Sequence, residues 1–485
     1  MSKLRSALQT KDSFTQNGAV THSTSGSYCL DFFATAGGMR GKDPLPLFYK
    51  ALEEDVEITI RLLLWLRDIR GGAGERELFR KVFYSLCTSH PDIATMIIPK
   101  VPFIGRWDDL LSFSVEVQDA CIEYIAEALH NGDALCAKWM PREKSSKGIL
   151  GYAIRKAMGL SSREYRKLLS GLSRTVEQDM SAHRWNSIKY SHVPSQAMKK
   201  YTKAFYRHDK DRFAQYIEDV KNGKAKINAS TIHPHELLGK YLTAYGVSPL
   251  LVHDKTINNA IEAQWYALPN YVEEKHSSAI CVCDTSGSMA GLPIRVAVAL
   301  SIYFAERTTG PFKNEFITFS KQPQLQVLTG KTLQQKVHNL IKAKWDMNTD
   351  LDAVFELILR KAKAHKLSNE DLPKSVIIIS DMEFDQCTKK NKRTNYEQMH
   401  KRYSEAGYDV PHVIFWNVSS ISSNNIPVKM HESGATLISG FSPSILKHVM
   451  SGEQLTPFVT MINTIMNDRY TWRDGFPGEV TSYLP

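Results

Sequence analysis

The chain has 485 residues, room for more than one domain-sized core, and its 42% hydrophobic and 23% charged content is that of an ordinary globular protein. With 61 Lys/Arg against 51 Asp/Glu the formal charge is +10, a balance that favours anionic partners. No apolar run of membrane-spanning length and no N-terminal signal pattern is visible, and seven scattered cysteines lack zinc spacing, so a cytoplasmic protein without membrane contact is expected.

Taken in chain order, residues 1–27 are polar, rich in Ser, Thr and Gln, and predict a flexible tail. From 28 to about 270 the signals are helical. Val56, Ile60, Leu63, Leu64 and Ile69 recur near helical spacing and predict a helix over 56–68. Leu78, Phe79, Val82, Phe83 and Leu86 predict the next over 75–87. The glycine-rich stretch between them, 70–76, lacks the Lys-Ser/Thr that a phosphate-binding P-loop needs and reads as a turn. Further helices are expected over 93–98, 107–113, 117–129, 161–178 and 195–221. Short helices joined by tight turns suggest HEAT-like pairs in a solenoid or ring, although no fixed repeat period is visible.

The charge is concentrated. Residues 155–226 hold 17 Lys/Arg against 7 Asp/Glu, whereas 271–485 are near balance at 24 against 22. Lys199, Lys200, Lys203, Arg207, Lys210 and Arg212 alternate with Tyr201, Phe205, Tyr206, Phe213 and Tyr216. Cations neutralise phosphates and aromatic faces stack unpaired bases, so this stretch is a candidate RNA contact. Helical spacing equally permits a buried aromatic stripe under a solvated cationic face. Lys138, Arg142, Lys144 and Lys147 lie in a Pro/Ser-containing connection and are candidates of the same kind. His233-Pro234-His235-Glu236 lacks a third soft ligand and reads as a helix-entry turn rather than a metal site. His208-Asp209 has no nucleophile or matched carboxylate beside it, and no catalytic constellation is recognisable, so an enzyme is not expected.

Between residues 265 and 278 the pattern changes to short buried strands alternating with helices, which predicts a mainly parallel, doubly wound α/β domain over 275–470 and a C-terminal tail over 471–485. Strands are expected at 279–283, 315–320, 376–380, 412–418 and 435–439, and helices at 294–307, 333–343, 351–363, 396–406, 442–450 and 454–467. Cys281 and Cys283, two apart in the first strand, share one face and read as core. That strand runs into Asp284-Thr285-Ser286-Gly287-Ser288, and the strand at 376–380 runs into Asp381. Thr349 lies just ahead of a helix start. Carboxylates and hydroxyls gathered beyond strand carboxyl ends suit a hard divalent cation.

These residues resemble the von Willebrand factor A domain and its metal-ion-dependent adhesion site, D-x-S-x-S followed by Thr and then Asp. The resemblance implies that Asp284, Ser286, Ser288, Thr349 and Asp381 hold Mg²⁺ (or Mn²⁺ or Ca²⁺), with one position open to water or to an acidic side chain of a protein partner. Residues 62–76 and 104–110 resemble the helical module of the Ro autoantigen (TROVE) class. They are more similar still to a family that pairs such a module with a C-terminal von Willebrand A domain, a pattern to which 138–141, 160–169, 193–198 and 223–229 also belong. The resemblance, over about 28–450, implies a ring of helical repeats that binds structured RNA and takes single-stranded ends into its central hole, in a ribonucleoprotein. The competing expectation is a protein-interaction or assembly module built on the open metal position.

Overall fold

Residues 12–14 and 20–22, inside the stretch read as a flexible tail, form an antiparallel hairpin, β1 (Asp12–Phe14) and β2 (Val20–His22). A computed structural model describes residues 12–245, 248–251, 258–272, 278–319, 323–341, 350–385, 394–420, 425–446 and 456–472. The tail reading is corrected for residues 12–27. His22 and Ile426 exchange backbone hydrogen bonds at 3.0 and 3.1 Å, and the Thr15 hydroxyl donates to Phe384 O at 2.7 Å. These anchors lie some 370–400 residues away in sequence, so local composition gave no sign of them.

The first helix, α1 (Tyr28–Thr35), starts on Ser27, whose hydroxyl accepts from the Leu30 N–H. Every residue from Cys29 to Thr35 is buried, because the helix is packed on both sides by α2 (Leu45–Glu54), α3 (Val56–Arg67) and the far edge of the sheet described below. Gly37, just beyond it, backs onto that edge so closely that an added Cβ would sit 2.5 Å from the Gly440 nitrogen.

Eleven further helices carry the chain to residue 266: α4 (Arg76–Ser89), α5 (Pro91–Ile97), α6 (Lys100–Ile104), α7 (Gln118–His130), α8 (Ala134–Trp139), α9 (Gly148–Ala157), α10 (Ser162–Leu172), α11 (Val176–Ser181), α12 (Ser195–His208), α13 (Lys210–Lys221) and α14 (Pro234–Leu238), with α15 (Asn259–Tyr266) the twelfth. A small hairpin, β3 (Thr243–Tyr245) and β4 (Ser248–Leu251), interrupts the last two. Three expectations change here. The helix expected over 161–178 breaks after Leu172, the one over 195–221 breaks at Asp209, and 107–113 is a 3₁₀ turn over Trp107–Ser112.

The α/β part holds a six-stranded sheet in the order β10-β9-β8-β5-β6-β7, parallel except for its β7 edge. Its strands are β5 (Ala279–Cys283), β6 (Glu315–Thr318), β7 (Gln324–Val327), β8 (Ser375–Ser380), β9 (His412–Asn417) and β10 (Ala435–Ser439). Its helices are α16 (Leu292–Arg307), α17 (Leu333–Ile341), α18 (Leu351–His365), α19 (Asn395–Glu405) and α20 (Pro457–Ile465). β5 and β8 are central and buried on both faces, which explains their unbroken apolar runs. The Cys281 thiol lies 3.5 Å from the Ser301 hydroxyl of α16, so Cys281 is core, as read from the sequence. β7, Gln-Leu-Gln-Val, has no such signal and was not expected. Of residues 442–450, only a 3₁₀ turn over Pro443–Ile445 is described as helical, and 447–450 lie outside the described residues.

The change from helices to sheet falls where the sequence places it, yet one hydrophobic core runs from Ala19 to Trp472 across both parts. The C-terminal segment returns to the first helices. Buried Arg61 of α3 pairs with Glu57 at 2.7 Å and donates to the carbonyls of Ile465 and Asn467 at 3.3 and 3.1 Å. Asp68, fully enclosed, accepts from the Arg469 guanidinium through both oxygens and from the Tyr470 hydroxyl at 3.0 Å. At the other end, Glu262 of α15 accepts the Leu333 and Gln334 N–H groups of α17, and Trp265 donates to Glu306 at 2.8 Å. Among the described residues no helix is long and apolar enough to cross a membrane.

Candidate functional site

Two places gather chemistry. The first lies where the winding of the sheet reverses, between β5 and β8, the position at which open α/β sheets leave a crevice beyond their carboxyl ends. Asp284 leaves β5 and Asp381 leaves β8. Asp284 is fully buried; its carboxylate accepts the Ser286 N–H at 2.9 Å and the Ser380 hydroxyl at 2.5 Å. The Ser286 and Ser288 hydroxyls are 3.0 Å apart, and Ser288 also hydrogen-bonds the Asp381 carboxylate. Met382, directly after Asp381, has φ +64°, a left-handed conformation that costs a non-glycine residue about 1–2 kcal/mol. That strain turns the chain so that Asp381 and Glu383, both buried, stay beside the site.

Burial first, and then the Asp381 charge, pushes the Asp284 carboxyl above the usual range; burial likewise raises Asp381. Neither carboxylate has an ion pair with Lys, Arg or His among the described residues. Two enclosed carboxylates and two adjacent hydroxyls without a cationic partner form a donor set that fits a hard divalent cation. Among the described residues no group of three His, Cys, Asp or Glu side chains is placed to hold a metal, so the hydroxyls are integral to this reading. Thr349 lies outside the described residues; the other four candidates, Asp284, Ser286, Ser288 and Asp381, come together.

The second place is a cavity of about 1300 Å³ whose walls come only from residues 40–240. Residues 230–240 lie against the 69–75 turn, where a Cβ on Gly74 would sit 3.2 Å from the His233 ring, its φ of +74° also favouring glycine. Eleven Arg or Lys residues line the cavity against four Glu. Some of these cations are tied: Arg40 makes a forked bond to buried Glu75, Arg67 pairs with Asp109, and Lys199 with Glu236. Arg70, Lys138, Lys200 and Lys240 make no ion pair among the described residues.

The sequence candidates divide at this cavity. Lys138, Lys199 and Lys200 line it. Arg142, Lys144, Lys147, Lys203, Arg207 and Lys210 are exposed elsewhere. Arg212 serves the fold, donating to the carbonyls of Ile188 and Trp185, pairing with Asp209 and lying 4.8 Å from the Tyr190 ring centre. The aromatic candidates are corrected. Phe205 and Phe213 are fully buried and not open to bases, while Tyr201, Tyr206 and Tyr216, half-buried, pack against the same second core. The buried-stripe account of this stretch is the one the packing supports.

Sequence reasoning missed Arg40, Arg67, Arg70, Arg106, Trp139 and Lys240 as cavity residues. They come from segments far apart in the chain and share no local motif. His233 and His235 also reach the wall, their rings stacked 5.5 Å apart, and burial holds both below the ordinary histidine range, His233 at about 4.

A largely parallel α/β sheet with an acid–hydroxyl cluster at its switch point, joined through one core to a helical part that lines a basic cavity, defines the class. Residues 15–109 and 100–277 match a domain of unknown function (DUF2828), and 278–469 match a second (DUF7788). The chain is 32% identical to an uncharacterized protein of Acanthamoeba polyphaga mimivirus over 93% of this chain and 87% of the relative. It therefore belongs to the DUF2828 family. No solved structure matches it.

Proposed function

We propose that this is an RNA-binding protein of the Ro-like kind, in which the helical part is a ring-like module that admits single-stranded RNA to the basic cavity. The observation that carries this reading is the excess of Arg and Lys over Glu on the cavity walls. A cavity with low-dielectric walls concentrates that field and attracts phosphates, each neutralised phosphate releasing counterions. Duplex A-form RNA presents a stiff rod with a deep, narrow major groove, so a flexible single-stranded end is the form suited to entry.

The α/β part we read as a von Willebrand A domain. Its strand order, its antiparallel edge and the position of Asp284, Ser286, Ser288 and Asp381 support this. Mg²⁺ is the cation that suits the donors, with Mn²⁺ or Ca²⁺ as alternatives, and it would balance the buried carboxylates. A protein partner at the metal site is the second reading, favoured by the exposure of Ser288 beside otherwise buried ligands.

Photo-crosslinking of a single-stranded RNA to the purified chain tests the primary reading. Attachment points are expected on the segments around Arg70, Lys138, Lys200 and Lys240. Attachment confined to Lys144, Lys147, Lys203 and Arg207, or no crosslink in low salt, would overturn cavity entry.

A further inference from the structure

None of the aromatic residues expected to stack bases, Tyr201, Phe205, Tyr206, Phe213 and Tyr216, lines the cavity, which leaves the question of what there reads a base rather than a phosphate. The answer lies in the turn before the 3₁₀ segment Trp107–Ser112. Arg106 is not a free cation. Its Nε donates to one oxygen of Asp108 at 2.8 Å and its Nη2 to the other, so that edge of the guanidinium is clamped in its plane. Its backbone N–H is fixed by Asp109 at 2.9 Å, and Asp109 is itself fully buried and held by Arg67 and Arg80. One flat face of the guanidinium lies on the Trp139 ring, 3.8 Å from its centre. The side chain is nonetheless 30% exposed, and Arg106, Trp107, Lys138 and Trp139 all belong to the cavity wall.

A guanidinium clamped along one edge and covered on one face still offers the N–H donors of its other edge and its second, open face. A planar, weakly hydrated cation held rigid in this way stacks on the π-face of a base at little conformational cost. Lys138, 5.5 Å from the same indole, puts a charge within reach of the neighbouring phosphate. We propose that Arg106, backed by Trp139, is a nucleobase-stacking platform of the cavity, and that it takes one unpaired base of a single-stranded RNA. This rests on the RNA-binding reading and deepens it: Arg106 acts through its plane, and Trp139 is a positioning residue that holds that plane flat.

The test separates plane from charge. Affinities for a ten-residue oligoadenylate and for an abasic ten-mer with the same sugar–phosphate backbone are measured by fluorescence anisotropy on the full chain, for wild type, Arg106→Lys and Trp139→Leu. Wild type should prefer the oligoadenylate by about tenfold, the order of one stacked base. Arg106→Lys keeps the charge and should erase most of that preference, lowering affinity for the oligoadenylate several-fold more than affinity for the abasic ligand. Trp139→Leu, which keeps Arg106 and its charge, should do the same, and it carries the test if the Arg106 variant melts early. Equal wild-type affinity for the two ligands, or equal losses on both in the variants, overturns the platform while leaving RNA binding intact. No wild-type affinity for either ligand overturns the RNA reading and the platform with it.

Discussion

Asp68→Ala and Arg469→Ala should destabilise the protein unequally, and the inequality follows from burial. Asp68 is fully enclosed and accepts from Arg469, from the Tyr470 hydroxyl and from the Arg70 N–H at 3.0 Å. Removing the carboxylate strands Tyr470, itself 1% exposed, but Arg469 is 30% exposed and water can re-solvate it. Breaking a buried pair costs about 3–5 kcal/mol, and rehydration of the arginine lowers the Asp68→Ala cost to about 2–3 kcal/mol. Arg469→Ala instead leaves a buried carboxylate without its cation, holding only the Tyr470 hydroxyl and the Arg70 N–H, so a cost of about 3–5 kcal/mol applies. Urea unfolding of both variants reads the difference, and hydrogen exchange localises it. Protection should fall first in α20 and α3, because this contact ties the C-terminal segment to the first helices across 401 residues of sequence. Losses below about 1 kcal/mol for both variants, the size of an exposed pair, would refute the enclosed-clasp reasoning.

Four further outcomes are expected. Mg²⁺ should raise the melting temperature of the wild type, by the equivalent of about 2.7 kcal/mol at a hundredfold excess over Kd, and calorimetry should show one binding event. Asp381→Asn removes a like charge beside Asp284, so it should keep or raise metal-free stability while abolishing the Mg²⁺ response; an unchanged response refutes the site. The two buried histidines have depressed folded-state values, so the unfolded chain binds more protons than the folded one once pH drops below about 6.5. Their contribution is intact above that pH and is lost progressively as pH falls, for His233 toward about 4. His233→Gln should flatten this slope relative to wild type in pH-dependent melts, and parallel curves would contradict it. Gly37→Ala places a Cβ 2.5 Å from the Gly440 backbone and should cost roughly 1–3 kcal/mol or more by overpacking, read in the same urea assay; a neutral effect would deny the tight packing of α1 on β10.

How much of this was legible depended on whether the determining contacts were local. The central strands were readable because parallel strands buried on both faces must be apolar throughout, as Val376–Ile379 are. The acid–hydroxyl cluster was readable because Asp284, Ser286 and Ser288 lie within one turn. The polar edge strand β7 was not, since an edge exposed to water needs no apolar pattern. The hairpin at residues 12–22 looked like a tail because its partners, Phe384 and Ile426, lie near the other end of the chain. The cationic stretch after residue 195 was legible as amphipathic helix, but which cations face inward is set by the curvature of the whole helical part. Lys200 reaches the cavity and Lys203, one turn on, does not. Arg106 and Trp139 lie in stretches that the resemblance covers, 104–110 and 138–141, but nothing local paired them, because their stack joins two separate turns.

The central claim is that RNA enters the basic cavity, and paired charge reversals across a salt series test it most directly. Filter binding of a single-stranded RNA is compared for wild type, for Lys138→Glu with Lys200→Glu on the cavity wall, and for Lys203→Glu with Arg207→Glu outside it. About five phosphate contacts on a single strand give a slope of log affinity against log salt of roughly −3.5. The cavity pair should lower affinity steeply and reduce the slope by about 1.4, two contacts' worth, while the outer pair changes both far less. Equal effects from the two pairs, or a larger effect from the outer one, would contradict entry into the cavity.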